Sequence, residues 1–476
     1  MSDYNFLMES RLSPEQVRVV GHVSRIALEQ GLNIYLVGGA VRDLTAGQSM
    51  VCDLDFVVEG SPQKILRHLD PARASSRVKG GGPLGTDSDG PRVESLVIDK
   101  RLNSAEVHFA AGVRAEIAES RHEIYSKPGR APEVRPAMIF DDLKRRDFSA
   151  NAMAVSLHPN SRGLLLDPTN GAADIVRREF RVLHSRSFAE DPSRIYRLLR
   201  LGPRLNFKPE ERTRALLESA IENRYWEEMP PERQGVELRA ILQEDNPARV
   251  LKMLAARGLL GGLDQKLASA KIPYERFAKI RSAVHAVSGA DPLLLNFHGL
   301  VEKLGSAQQS RLASKIFTSG RTIRSALDLE RDARKLARLL AGAKASRPSQ
   351  VYALLSKYPQ HLLLFLLVYY PQARIQSRVK SYLFKFPQVR ARLPRAELQA
   401  MGLAPGPKFE KIMERVFLDQ LDGKIRTQPQ LLKALRALSG IKQPAPAPAP
   451  QPRPARRAER GGKKRWQVTS DKKLSH

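Results

Sequence analysis

Residues 34–58, IYLVGGAVRDLTAGQSMVCDLDFVV, decide how this chain of 476 residues is read. Residues 34–37 are apolar and read as a buried strand. Gly38-Gly39 interrupt it, and a helix follows over 40–44. A second apolar run, 51–58, carries Asp53 and Asp55 inside a strand pattern. Strand side chains alternate faces, so both carboxylates point one way while Leu54 points to the core. Two like charges side by side repel and call for compensation. Oxygen-only ligands favour Mg²⁺, which also bridges substrate phosphates. The glycine turn supplies the complement: backbone N–H groups and a helix N-terminus accept an anion, and Arg42 one turn later suits a phosphate fork. A glycine pair alone is a tight turn, and a lone Asp-x-Asp is weak evidence for metal. Turn, arginine and paired carboxylates together read as a phosphoryl- or nucleotidyl-transfer site.

Upstream, residues 14–30 carry Val17, Val20, Ile26 and Leu28 at helical spacing, with Ser13 as N-cap, Pro14 at the first helical position and Gly31 as the stop. Downstream, GGGPLGTDSDG (80–90) is turn or loop, and strands are expected at 92–98, 106–109 and 114–118. The mixed region covers about 14–160 with few helices between strands, so the fold class is α+β rather than doubly wound. From about 187 the strand signal fades. Helical periodicity takes over at 192–205, 210–223, 234–242, 247–257 and 323–340. No fixed-period repeat is apparent, which disfavours a solenoid. Residues 443–454 (QPAPAPAPQPRP) form a polyproline-type spacer, followed by a basic tail containing Trp466. That tail reads equally as solvated chain or as a loose phosphate-binding arm.

Composition sets the outer limits. Hydrophobic residues make up 42%, enough for a real core, and the formal net charge is +29. Such an excess of Lys and Arg favours a polyphosphate partner through counterion release. A single cysteine, Cys52, rules out a disulfide framework and multi-cysteine metal sites. Cys52 itself is expected in the strand's core face. No apolar run reaches a bilayer span; the longest candidate is 362–370. The start, MSDYNFLMESRLSPEQ, has no signal-peptide layout. The expectation is a soluble, cytoplasmic protein with no membrane partner.

Four ordered motifs give these readings a family. Gly38-Gly39-Ala40-Val41-Arg42-Asp43 with Asp53-Leu54-Asp55 comes first. Next are Arg145-Arg146-Asp147-Phe148-Ser149-Ala150-Asn151-Ala152-Met153-Ala154, and Asp167-Pro168 with Gly171 and Asp174. Glu190-Asp191-Pro192-Ser193-Arg194 with Arg197 and Arg200 is the last. This set resembles the class II tRNA nucleotidyltransferases (CCA-adding enzymes) and bacterial poly(A) polymerases, firmly over 34–205 and more weakly to about 260. Ser149-Ala150 stand where relatives commonly show Thr-Ile. The resemblance implies a polymerase-β-like head with a small mixed sheet, followed by an all-helical neck, body and tail. In domain terms these are an N-terminal helix (1–30), a head (31–160), a nucleotide-reading neck (161–260), an RNA-binding body and tail (261–441) and a linker with basic tail (442–476).

The resemblance also implies roles. Asp53 and Asp55 would hold two Mg²⁺ ions. Glu116 would be the third catalytic carboxylate, placed by aligning back from Arg121-x-Glu123-x-Tyr125, with Asp99 and Glu106 as rivals. Gly38, Gly39, Arg42 and Arg146 would bind the nucleotide, and Asp147 and Asn151 suit its ribose hydroxyls. Asp191 and Arg194 would read the base, sharing a helical face. Cytosine and adenine both offer an amine beside an acceptor nitrogen, whereas uracil and guanine leave Asp191 facing a carbonyl. Arg197 and Arg200 would continue toward the triphosphate. Glu232-Arg233-Gln234 with Glu237-Leu238 resembles the family's neck signature. The implied activity is addition of CMP and AMP from CTP and ATP to an RNA 3′ end, most simply CCA on tRNA. Poly(A) polymerase, CC-only and A-only activities share the motifs. A non-catalytic RNA-binding protein would be expected to lack one of the metal carboxylates. His108, His122 and His184 lack zinc-ligand spacing. Trp226 and Tyr369-Tyr370 read as packing residues, and Asp141-Asp142 as a cap or ion-pair partner of the arginine motif.

Overall fold

The computed structural model describes residues 3–48, 51, 53–69, 90–127, 129, 130 and 132–440. Cys52, nearly all of the glycine-rich stretch at 80–90, and the Pro/Ala spacer with Trp466 lie outside the described residues. Two helices lead, α1 (Tyr4–Arg11) and α2 (Pro14–Glu29), where the sequence reading has one. The Ser13 side chain accepts from Gln16 N and the Gln16 side chain from Ser13 N, a reciprocal cap that starts α2 afresh. Gly31 at φ +65° ends it. Val19, Val20, Val23, Ile26 and Ala27 are buried, whereas Leu28 is 46% exposed. The buried stripe therefore runs beside the one anticipated.

The head holds β1 (Asn33–Val37), α3 (Gly38–Thr45), β2 (Asp53–Glu59), α4 (Gln63–Leu69), β3 (Val93–Asp99), β4 (Ser104–Phe109) and β5 (Arg114–Glu119). It continues with β6 (Arg121–Ile124), β7 (Glu133–Pro136), α5 (Ile139–Lys144), β8 (Ala154–Ser156) and β9 (Leu165–Leu166). Seven strands form one sheet in the order β3-β4-β5-β2-β1-β8-β9, and β6 pairs β7 separately. Only β2 and β5 run parallel in the large sheet; its other neighbours are antiparallel. The fold class is α+β. β2 begins at Asp53 rather than Val51 because its ladder opens there, opposite Arg114. α3 begins on Gly38 itself. The sheet extends past 160, since Leu165 and Leu166 pair with β8. Leu54, Phe56 and Val58 face the main core with α2 and α4, while Val57 joins Val37, Ile139, Leu143 and Ala154 on the other face.

Further along the chain come α6 (Gly171–Arg177), β10 (Glu179–Phe180), α7 (Ser187–Glu190), α8 (Ser193–Leu205), β11 (Lys208–Pro209), α9 (Glu211–Glu222), α10 (Pro231–Gln243) and α11 (Pro247–Ala256). β10 and β11 form a parallel pair past the point where strands were expected to stop. Two residues are too few to produce an alternation in sequence. The rest is helical, including Gly320–Ala341. The described residues fall into two compact units, one within 1–346 and 350–383 and a second within 347–349 and 384–440. The second has its own core around Phe409, Met413, Val416 and Leu435. No single described helix is long and apolar enough to cross a membrane. The apolar run at 362–370 lies largely in a helix, Gln360–Tyr369, whose Leu362–Leu366 segment is buried.

Candidate active site

The site grows from strand register. Val37, the last residue of β1, lies opposite Asp55, and Asp55 on its other side lies opposite Glu116 of β5. Neighbouring strands are about 4.8 Å apart, so the glycine turn, Asp55 and Glu116 form a row across three strands. Asp53 shares the Asp55 face, is half exposed, and pairs with Arg114 at 2.9 Å. The rivals to Glu116 are elsewhere. Glu106 stands one strand further out and meets His108 at 2.9 Å, and Asp99 accepts from Arg101 N and Leu102 N in the next turn.

Gly38 has φ +66°, and a Cβ there would lie 3.1 Å from Arg146 Nη1 and 3.3 Å from Asp55 Oδ2. The turn thus needs glycine for both its backbone and its roof. Arg146 is held from behind by Asp142, whose Oδ2 accepts from Arg146 Nη2 at 2.8 Å. Asp142 is fully buried and also accepts from Arg145 and from Arg121 N. Burial opposes its charge, but Arg146 and Arg145 outweigh burial and hold its carboxyl below the usual range. The pairing expected near Asp141-Asp142 falls on Asp142.

The other nucleotide-site candidates are linked to one another. Arg42 donates through Nε to Asp43 Oδ1 at 2.8 Å and through Nη1 to Asn151 Oδ1 at 2.7 Å. Asn151 Nδ2 donates to Asp147 Oδ1 at 2.9 Å, and Arg197 Nε donates to Asp147 Oδ2 at 2.8 Å. Asp147 also accepts from Phe148 N. The ribose candidates, Asp147 and Asn151, are therefore already bonded to protein groups. Behind them, Asp167 accepts from Gly171 N and Ala172 N, and Ser149 Oγ donates to Asp174. A Cβ on Gly171 would lie 2.2 Å from the Ser149 carbonyl oxygen. The Asp167–Asp174 element thus clamps the 149–151 turn from outside the site.

Asp191 and Arg194 both line the pocket, but they do not share a helical face. Asp191 precedes α8, and its Oδ1 accepts from Ser193 N and Ser193 Oγ. Arg194, inside the helix, donates to Ser187 Oγ at 2.7 Å and to the Arg145 carbonyl at 2.7 Å. No Asp191–Arg194 ion pair forms among the described residues; Asp191 is engaged by Ser193 ahead of α8, so the two approach the pocket from different elements. Arg200 meets Glu244 at 2.9 Å and Glu237 of α10 at 3.8 Å. The cavity they enclose, about 440 Å³, is also lined by Gly39, Tyr125 and Arg233. Sequence reasoning used Arg121, Glu123 and Tyr125 only as alignment marks. Glu123 pairs with Arg121 and Arg145 and accepts from Tyr125 Oη. Their i, i+2, i+4 spacing leading out of β6 is the signal that could have placed them on one side.

Electrostatics separates the carboxylates. Burial first, then Glu116, pushes Asp55 up to about 6, with Arg146 acting the other way. Asp147 goes down to about 2: burial opposes this, but Arg197 and the bonds from Asn151 and Arg197 prevail. Among the described residues no group of three or more His, Cys, Asp or Glu forms a ready-made metal cage. Mg²⁺ is held by one or two carboxylates plus waters and substrate phosphates, so Asp53 and Asp55 fit it by donor chemistry and by the unmet charge at Asp55.

Residues 34–88 and 90–181 match the family described as Poly A polymerase head domain. Over 451 residues the chain is 27% identical to an A-adding tRNA nucleotidyltransferase of Halalkalibacterium halodurans, covering 92% of this chain and 96% of the relative. It is 34% identical over 265 residues to a CC-adding tRNA nucleotidyltransferase of Deinococcus radiodurans, covering 53% and 62% of the two chains. Two further curated relatives are longer, and the chain spans 47% and 44% of them. A solved structure of a CCA-adding enzyme in an apo form is similar at TM-score 0.50 and 26% identity, covering 92% of this chain and 99% of that one.

Proposed function

We propose that this protein, built on a Poly A polymerase head domain at residues 34–88 and 90–181, is a template-independent RNA nucleotidyltransferase. In this reading it adds CMP and AMP from CTP and ATP to the 3′ end of tRNA. The observation that carries the proposal is the row formed by the Gly38 turn, Asp55 and Glu116, roofed by Arg146. Gly38, Gly39 and Arg146 receive the triphosphate, and Arg197 reaches it from α8. Asp53 and Asp55 would hold magnesium, with Glu116 completing the carboxylate set. Two such ions supply charge neutralisation on the phosphates and activation of the attacking hydroxyl. The RNA 3′-oxygen bonds to the α-phosphorus, the α–β bridging P–O bond breaks, and pyrophosphate leaves. The hydroxyl proton passes to the carboxylate set or to solvent.

Base choice falls to Asp191 and Arg194. With Oδ1 engaged by Ser193, Asp191 offers Oδ2 to an exocyclic amine, while Arg194, whose Nη1 and Nη2 already bond Ser187 and the Arg145 carbonyl, donates to the adjacent ring nitrogen or carbonyl through its remaining N–H groups. UTP and GTP would set a carbonyl against Asp191, which a buried site rejects strongly. The nucleotide-reading neck, expected at 161–260, follows the head match that ends at 181, and the basic helices of 261–441 serve as the RNA-binding surface. A-addition alone is the second reading, favoured because the relative that matches nearly end to end carries that name.

The test is the product sequence made on tRNA ending at the discriminator base, at C and at CC. CCA addition extends all three to CCA. A-only activity extends the CC substrate alone, CC-only activity stops at CC, and poly(A) activity adds a run of A to each. No extension of any substrate would refute the proposal. Asp191→Ala and Arg194→Ala should relax discrimination against UTP and GTP, and full selectivity in both would remove the base-reading assignment.

A further inference from the structure

We propose that Arg42 and Asn151 are positioning residues that set Arg197 in the nucleotide pocket through one hydrogen-bonded chain, Arg42–Asn151–Asp147–Arg197. The inference rests on reading this pocket as the nucleotide site. It differs from the expectation that Arg42 grips phosphate itself.

The inner members are out of water: Arg42 is 3% exposed, Asn151 5% and Asp147 8%. All four line the cavity, and Arg197 is the member most open to solvent, its side chain 36% exposed against 9% for Asp147 and 4% for Arg42. Arg42 spends Nε and Nη2 on Asp43 and Nη1 on Asn151, at 2.8, 2.7 and 2.7 Å. A guanidinium has five N–H donors in a fixed plane, so three commitments in two directions leave it no freedom to swing toward a ligand. Asn151 relays the constraint because its oxygen faces Arg42 and its nitrogen faces Asp147. Asp147 then grips Arg197 through Nε at 2.8 Å and Nη2 at 2.7 Å. That fork fixes the arginine's plane and leaves Nη1 for the pocket. Each cation in the chain has its own carboxylate, Asp43 for Arg42 and Asp147 for Arg197, so no charge is left unpaired.

The chain also ties together two parts of the site. Arg42 lies on α3, directly after the glycine turn, and Arg197 lies on α8, which carries the base-reading Arg194. An arginine held in advance loses less freedom when it binds an anion. Breaking the chain should therefore weaken nucleotide binding common to CTP and ATP, without touching base choice or the reacting atoms.

The experiment measures KM and kcat for CTP and ATP, and equilibrium CTP binding, in Arg197→Gln, Arg42→Gln, Asn151→Ala and the Arg42→Gln/Arg197→Gln double variant. Arg197→Gln should raise both KM values about tenfold, the loss of one charge-assisted contact. Arg42→Gln and Asn151→Ala should raise both KM values by a smaller factor, in equal proportion, with kcat within about twofold. The double variant should bind no worse than Arg197→Gln, because Arg42 acts only through that residue. Asn151→Ala leaves the Arg42–Asp43 and Asp147–Arg197 pairs intact and so unpairs no buried charge. Additive losses in the double variant would mean that Arg42 touches the nucleotide, and unchanged KM in both single variants would mean that the chain positions nothing. Either result overturns the proposal, as would unfolding of every variant. Failure of the unaltered protein to incorporate nucleotide would instead remove the functional reading, while equilibrium CTP binding would still test the chain.

Discussion

Asp55 and Asp147 line the same cavity and both have arginines nearby, yet their ionisation moves in opposite directions. Asp147 receives a two-pronged arginine, an asparagine amide and a backbone N–H, and sits at about 2. Asp55 shares its face of β2 with Asp53 and lies opposite Glu116 of β5, and sits at about 6. Neutralised carboxylates build the frame, and the surplus at Asp55 marks where the proposed cation would sit. Asp142 belongs to the frame, since it holds Arg145 and Arg146.

The sharpest way to break this contrast is to remove the surplus. Asp53→Ala/Asp55→Ala should cut CMP and AMP incorporation by about 10³-fold or more, the scale on which lost transition-state electrostatics acts, while circular dichroism stays unchanged. A double variant that retained full labelling would place the chemistry elsewhere. Removing a frame carboxylate acts on stability first. Asp147→Asn leaves Arg197 unmatched and should cost about 2 kcal/mol in denaturant unfolding, less than a wholly buried pair because Arg197 is partly solvated. The pH sign follows from the downward shift: Asp147 stabilises the fold above pH 4, and this contribution is lost as pH falls from about 4 to 2. Smaller again is Gly38→Ala, which combines a left-handed backbone with a Cβ against Arg146 and Asp55. It should cost about 1 kcal/mol and raise KM for both nucleotides; an unchanged KM would show that the turn's close approach has no bearing on binding.

The head was legible because its chemistry is local in sequence. Gly38, Arg42, Asp53 and Asp55 lie within one strand–turn–strand passage, and alternation alone assigns the two aspartates to one face. Glu116 needed the parallel β2–β5 register, which no local pattern contains; only the resemblance pointed to it. The proposed base-reading pair, Asp191 and Arg194, shows the opposite limit. Spacing of three suggested one helical face, but Pro192 follows Asp191, and the residue before a proline is driven away from helical geometry. Asp191 has φ −129° and ψ 95°. The Arg42–Asn151–Asp147–Arg197 chain was illegible for another reason: each residue type suits a direct role, and its donors are spent on partners as far as 109 residues away. Past about 205 helices were legible, but not their grouping, since the division near residue 384 falls inside a stretch that reads as uniform basic helix.

The most direct measurement is the melting temperature of the unaltered protein and of Asp55→Asn from pH 4 to 8, with and without magnesium. A carboxyl raised from 3.8 to about 6 penalises the folded state as it ionises. The penalty is absent below about pH 4, grows through about pH 6 and is complete above, at up to about 3 kcal/mol. The account predicts that Asp55→Asn melts higher than the unaltered protein above pH 6, that the two converge near pH 4, and that magnesium raises only the unaltered protein. Parallel curves with equal magnesium shifts would contradict it.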